Sequence, residues 1–89
     1  MPRPISIDPR LAKALSSPLR ANALALIGEG VSSPKLIAAK LDLDLRTVAY
    51  HVRVLHNLGC IELVETHPRR GFTEHVYRLT ELAKRKTGD

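Results

Sequence analysis

Three times in its first 34 residues the chain places a capping side chain directly before a proline: Asp8-Pro9, Ser17-Pro18 and Ser33-Pro34. No other feature constrains the fold as much. A Ser or Asp oxygen accepts from an otherwise orphaned N–H of the first helical turn, and proline at the first helical position brings a preset φ and no N–H to satisfy. Helices are predicted to begin at all three points. After the first start, Leu11, Ala14 and Leu15 share a face. After the second, 19–27 is apolar on almost every side except at Arg20 and Asn22, which predicts a central helix ended by Gly28, Glu29 and Gly30. After the third, Ile37, Ala38 and Leu41 line one side while Lys35 and Lys40 point away. Asp42 and Leu43 make a tight turn. Asp44 then caps a fourth helix in which Val48, His51, Val52, Leu55 and Leu58 recur at helical spacing until Gly59 stops it.

From Cys60 the period changes. Ile61, Leu63 and Glu65 alternate with Glu62, Val64 and Thr66, a His-Pro-Arg-Arg-Gly loop is expected over 67–71, and a second alternating run covers 72–79. Tyr77 and Leu79 are predicted to pack inward. Thr80 with Glu81 is expected to cap one last turn of helix that lacks an apolar face. This order gives a mainly α fold with a small β-hairpin (α+β). It is the order of a winged helix-turn-helix, with a three-helix core, an N-terminal helix and a two-stranded wing. The expected organisation is a mobile arm over 1–8, the domain over 9–82 and a mobile basic tail over 83–89.

A chain of 89 residues holds one core and no second catalytic lobe. Aromatic residues make up only 3% of it, so aliphatic side chains must fill the interior. The formal charge of +5 and the sequence pI near 9.9 favour a polyanionic partner, because Lys and Arg that neutralise phosphates release condensed counterions. Cys60 is the sole cysteine, which excludes an internal disulfide and a thiolate-rich zinc site. The four histidines, His51, His56, His67 and His75, show no zinc-type spacing, so no metal and no cofactor are expected. No carboxylate pair, activated serine or cysteine, or glycine-rich phosphate loop stands out, so the chain is not read as an enzyme. No signal peptide or membrane-length apolar run is present, and a cytoplasmic, nucleoid-associated location is expected.

In this arrangement Ala38 is small where two helices approach closely, Leu43 is expected to plug the turn, and Val48 and Leu55 seat the fourth helix on the core. The opposite face is Leu45, Arg46, Thr47, Ala49, Tyr50 and Arg53. It offers a guanidinium for guanine edges, methyls for thymine, and hydroxyls for phosphate or base. Arg69 and Arg70 in the wing suit phosphates, and Lys35 completes the DNA-binding set. Arg3 and Arg10 are candidates for a minor-groove arm, with a disordered tail the preferred reading. His51 is expected to be a partly buried, hydrogen-bonded residue, and Cys60 a small buried one.

Several stretches together resemble ArsR-type bacterial regulators across nearly the whole chain. They are Ala-Leu-Ser-Ser-Pro-Leu-Arg at 14–20, Ile-Ala-Ala-Lys-Leu at 37–41, Thr-Val-Ala-Tyr-His-Val-Arg-Val-Leu at 47–55 and Val-Tyr-Arg-Leu at 76–79. The nearest type is the metal-independent one, in which a proline- and arginine-bearing wing follows a helix ending in Leu-Gly-Cys, here Leu58, Gly59 and Cys60. The resemblance implies a repressor-like transcription factor. The chain departs from the family at Asp42, where glycine is frequent. It also lacks the paired cysteines and the His and acidic pairs of the metal sensors. The long C-terminal helix that usually supplies the family's dimer interface is reduced to 80–86. The expected function is sequence-specific binding of double-stranded DNA as a homodimeric repressor, with the Leu11 and Leu15 stripe read as more apolar surface than one short core buries. A winged-helix protein–protein interaction module within a larger assembly is the alternative.

Overall fold

The computed structural model describes residues 8–84; Arg3 of the candidate arm and the basic residues Arg85 and Lys86 lie outside them. Four helices come first: α1 (Pro9–Leu15), α2 (Pro18–Gly28), α3 (Pro34–Leu41) and α4 (Leu45–Asn57). Each begins as its capping chemistry dictates. Asp8 accepts from the Arg10 N–H at 2.9 Å, Ser17 from Arg20 at 3.3 Å, Ser33 from Leu36 at 3.3 Å and Asp44 from Thr47 at 3.2 Å. Two antiparallel strands follow, β1 (Ile61–Arg69) and β2 (Phe72–Leu79), and then the single turn α5 (Glu81–Lys84).

The core lies where α2 crosses α4. Ala23, Leu24 and Ile27 from α2 meet Val48, Val52 and Leu55 from α4, with Ile37 and Ala38 from α3 closing the third side. α1 adds Leu11 and Ala14, and the strand root adds Cys60 and Ile61, both buried. The hairpin is anchored at that root. Gly59 adopts φ +78, which lets the chain leave α4 sharply, and Thr80 locks the other strand end by donating its hydroxyl to the Gly59 carbonyl at 2.6 Å and its N–H to the Cys60 carbonyl at 3.0 Å. Further out, the Tyr77 N–H donates to the Ser32 carbonyl at 2.9 Å, tying β2 to the segment that leads into α3. Tyr77 and Leu79 pack inward against the core as expected.

Five expectations need correction. Leu43 does not plug the inter-helix turn: it is 42% exposed, and Leu41 packs against the core instead. The reason is Asp42, whose left-handed backbone (φ 54, ψ 49) ends α3 and turns the following residue outward. The wing has no five-residue loop. His67, Pro68 and Arg69 lie in β1, and only Arg70 and Gly71 turn the chain, with Arg69 paired to Phe72. Pro68 is tolerated because each strand of a two-stranded sheet is an edge, where a missing N–H need not break the ladder. Alternation also fails at Val64, an extra residue between Leu63 and Glu65 that bulges the strand and leaves Leu63 and Val64 at 45% and 40% exposure. The last turn does have an apolar side, for Ala83 is 3% exposed and Leu82 packs on the core. Finally, Leu11 is buried in the chain's own core and Leu15 packs against it, so the α1 stripe leaves no surplus apolar face.

Candidate nucleic-acid interface

The α3–turn–α4 unit is fixed by backbone chemistry before any functional side chain is considered. The Leu43 N–H donates to the Ala38 carbonyl at 3.0 Å across the left-handed Asp42, and Asp44 restarts the chain as a helix. α4 then divides cleanly. Val48, Val52 and Leu55 are buried, and Arg46, Tyr50, Arg53 and Asn57 are exposed on the far side. Their spacing of i, i+4, i+7 and i+11 sets these four in one stripe along the helix axis. Tyr50 is 57% exposed, and among the described residues neither Arg46 nor Arg53 is held by a carboxylate. Leu45 and Thr47 are exposed beside the start of the stripe, whereas Ala49 is half-buried on its flank. Asn57 was missed in the sequence, although its position four residues beyond Arg53 is the signal that finds it.

The helix is oriented from behind by Arg20, the polar residue within the largely apolar α2. Its guanidinium donates to the Ala14 carbonyl at 3.2 Å, to the Lys13 carbonyl at 3.2 Å and to the Ser16 hydroxyl at 3.4 Å, closing the C-terminal end of α1. A remaining N–H lies 3.3 Å from His51 Nδ1, so that nitrogen must accept and the imidazole is neutral with its proton on Nε2. Burial pushes the His51 pKa below its ordinary value, and the Arg20 charge pushes it in the same direction. The expected partly buried, hydrogen-bonded role of His51 is thus found, with the Tyr50 and His51 rings nearly perpendicular and their centroids 5.1 Å apart.

The wing residues divide differently. Arg70 sits exposed in the turn with no carboxylate partner among the described residues. Arg69 is engaged: its Nη2 lies 3.0 Å from Glu74 Oε1, and this guanidinium is the main reason the Glu74 carboxyl is held below its ordinary range. Lys35 places its ammonium 4.5 Å from the centre of the Phe72 ring, which brings the start of α3 to the tip of the wing. Tyr77 is not a stacking platform: burial pushes its hydroxyl pKa up, and Arg53 opposes that. Arg10 pairs with Asp8 at 3.0 Å rather than reaching away from the body.

Cys60 is buried with its thiol pKa pushed up by burial, and among the described residues no three His, Cys, Asp or Glu side chains cluster as metal ligands. Also among the described residues, no helix is long and apolar enough to cross a membrane.

No protein-family model matches the sequence, and no curated protein matches it. Solved structures do. The chain is similar to the homodimeric winged helix-turn-helix DNA-binding domain of a Mycobacterium bovis protein described as a possible ArsR-family transcriptional regulator. The TM-score is 0.67 and the identity 27%, over 86% of this chain and 68% of that one. It is also similar to a cadmium metal-sensor from Mycobacterium tuberculosis, with a TM-score of 0.66 and 29% identity over 88% of this chain and 78% of that one. A crystal structure of an ArsR family transcriptional regulator matches in fold, with a TM-score of 0.64 and 20% identity over 88% and 75% of the two chains. The chain has the winged helix-turn-helix fold of ArsR-family transcriptional regulators.

Proposed function

We propose that this chain is a transcriptional regulator that binds duplex DNA sequence-specifically, as a homodimer, and represses by occupying its operator. One observation carries this reading. α4 presents Arg46, Tyr50 and Arg53 to solvent as a stripe free of carboxylates, on the helix that follows the turn of a helix-turn-helix. In this reading Arg46 and Tyr50 reach base edges from the N-terminal half of the helix, with Leu45, Thr47 and Ala49 offering apolar and hydroxyl contacts. Arg53, Lys35, Arg69 and Arg70 take phosphates.

Dimerisation and location are further parts of the proposal. The Mycobacterium bovis domain of the same fold is homodimeric, and a two-fold pair would read a palindrome with half-sites about one helical turn apart. The proposed location is the cytoplasm at the nucleoid, where a duplex-binding regulator finds its operator. Metal-independent control is proposed in contrast to the cadmium sensor of similar fold, because among the described residues no three His, Cys, Asp or Glu side chains cluster as a ligand set. Added cadmium or zinc is expected to leave duplex affinity unchanged.

Selection from a random duplex pool tests the central reading. Enrichment of a single palindromic motif, bound by a complex with the mass of two protein chains, is the expected result. A flat pool would reject sequence-specific binding. It would favour a protein-interaction module, for which the exposed Leu36, Leu43 and Leu45 around the turn are the specific motive.

A further inference from the structure

The carboxylate of Glu74 lies at the junction of wing and helix-turn-helix. It is the less exposed member of its ion pair with Arg69, at 16% against 53% for the arginine side chain. Its negative charge is stabilised first by the Arg69 guanidinium and then by the Ser33 hydroxyl. Ser33 is itself buried and caps α3 by accepting from Leu36, which leaves its proton to donate. His67 faces Glu74 directly across the ladder. One residue further along the turn, Arg70 has no such partner among the described residues. Two adjacent arginines of the same wing therefore stand in different electrostatic states.

We infer that Glu74 is a built-in competitor for the DNA phosphate: it holds Arg69 in the free chain, and a phosphate has to compete with it for the Arg69 guanidinium. This inference rests on the duplex-binding reading of the wing. A carboxylate and a phosphate present the same kind of acceptor to a guanidinium, so the two compete for the Nη2 donor that Glu74 engages. Displacement leaves Glu74 with Ser33 and His67 as neighbours and a net negative charge close to the duplex. That charge takes up a cation, which cancels the counterion released by the Arg69 contact. Arg70 contributes a full phosphate contact and Arg69 a discounted one. Glu74 thereby lowers affinity for every duplex alike without changing the preferred sequence.

The test titrates a mixed-sequence duplex of about three helical turns with the wild type, E74Q, R69A and the E74Q/R69A double variant over a salt series. Glutamine keeps the shape and the acceptor for Ser33 while removing the charge. E74Q is expected to bind about two- to fivefold more tightly at low salt, with a log–log salt slope steeper by about one unit. The double variant is expected to lose that whole gain. A gain that survives without Arg69 overturns the inference, because it would report general charge rather than competition. So does weaker binding at unchanged slope, which would make Glu74 purely a positioning residue for the wing. Titration of the Glu74 carboxyl by NMR in the free chain checks the latch without DNA. Its midpoint is expected to rise in R69A, and an unmoved midpoint overturns the inference. A wild type that binds no duplex instead removes the parent reading, and the inference with it.

Discussion

The helical body and the wing of this small protein are held by different chemistry. In the body, Leu55, Val48 and Ile37 are completely buried among the apolar faces of α2, α3 and α4. Beyond Ile61 the wing buries apolar surface only at its root, where Tyr77 and Leu79 pack on the core, and Leu63, Val64 and Phe72 are 40% exposed or more. It is also aimed by polar contacts: Glu74 with Arg69, Arg78 with Glu62, and the Tyr77 N–H on Ser32. Folding stability therefore concentrates in the body, because apolar burial is the dominant favourable term, whereas exposed ion pairs contribute little. The wing is the part that salt and charge can tune. A regulator divided this way can vary its wing without endangering its fold.

The strongest attack on that division is a matched pair of substitutions. Leu55→Ala removes a fully buried leucine from the centre of the body and is expected to cost about 2 to 5 kcal/mol, most of what a small domain has. Val64→Thr on the exposed bulge of β1 is expected to stay within about 0.5 kcal/mol of the wild type. Chemical denaturation of both variants reads the contrast, and comparable losses would end the distinction between body and wing.

Next in size is the outward stripe of α4, which belongs to the body by position and to function by exposure. Arg46→Ala is expected to cost about 1 to 3 kcal/mol on the preferred duplex, less on others, and nothing in melting temperature. Tyr50→Phe removes one hydroxyl and should shift preference at a single position. Competition binding against single-base variants of the selected site measures both. Undiminished affinity and preference in the two variants would show that this face does not read bases.

What was legible in the sequence follows the same division. Helix starts are local chemistry, so Asp8, Ser17, Ser33 and Asp44 announced all four long helices, and the periodicity of Val48, Val52 and Leu55 identified the inward side of α4. The split of that helix into a buried face and an exposed basic stripe came with it, except that Asn57 was missed and Ala49 is half-buried. The wing was less legible, because its geometry depends on pairing between strands. Pro68 and the arginines look like a loop until Arg69 is set opposite Phe72, and nothing local marks Val64 as an extra residue. Leu43 misled because its apolar character suggested burial, while the left-handed Asp42 decided its direction. The contact of Arg20 with His51 was invisible because the two lie 31 residues apart in sequence, and that of Glu74 with Arg69 because it depends on how the two strands pair.

Within the wing, Arg70→Ala should flatten the salt dependence of duplex binding by about one unit per protein chain, equally for all sequences, and leave thermal stability alone. Affinities at several salt concentrations on a preferred and a scrambled duplex give this directly. A loss confined to the preferred duplex would mean that the wing reads bases, and the assignment of readout to α4 alone would need revision.

The smallest expected effect lies at the seam between α1, α2 and α4, where the body itself carries a titratable contact. His51 accepts from Arg20, and its pKa is lowered from 6.5 by burial and by that neighbouring charge. The unfolded chain therefore binds a proton more readily than the folded one, so unfolding is favoured by acid in this range. The His51 contribution is fully present above about pH 6.5 and is lost as the pH falls from there through the folded pKa. Protonation would set two cations 3.3 Å apart while Arg20 stays tied to the carbonyls of Ala14 and Lys13, so the imidazole is the group that must move. The lowered Asp8 and Glu74 carboxyls act in the same direction but only at more acid pH, since their ordinary values are 3.8 and 4.5. Denaturation midpoints at about pH 7.5 and about pH 5.5 isolate the histidine range. The wild type should lose more between them than His51→Gln, which keeps an acceptor for Arg20 and cannot titrate. Equal losses would mean that the Arg20–His51 contact does not sense protons, and the body would then be as indifferent to charge as its buried core.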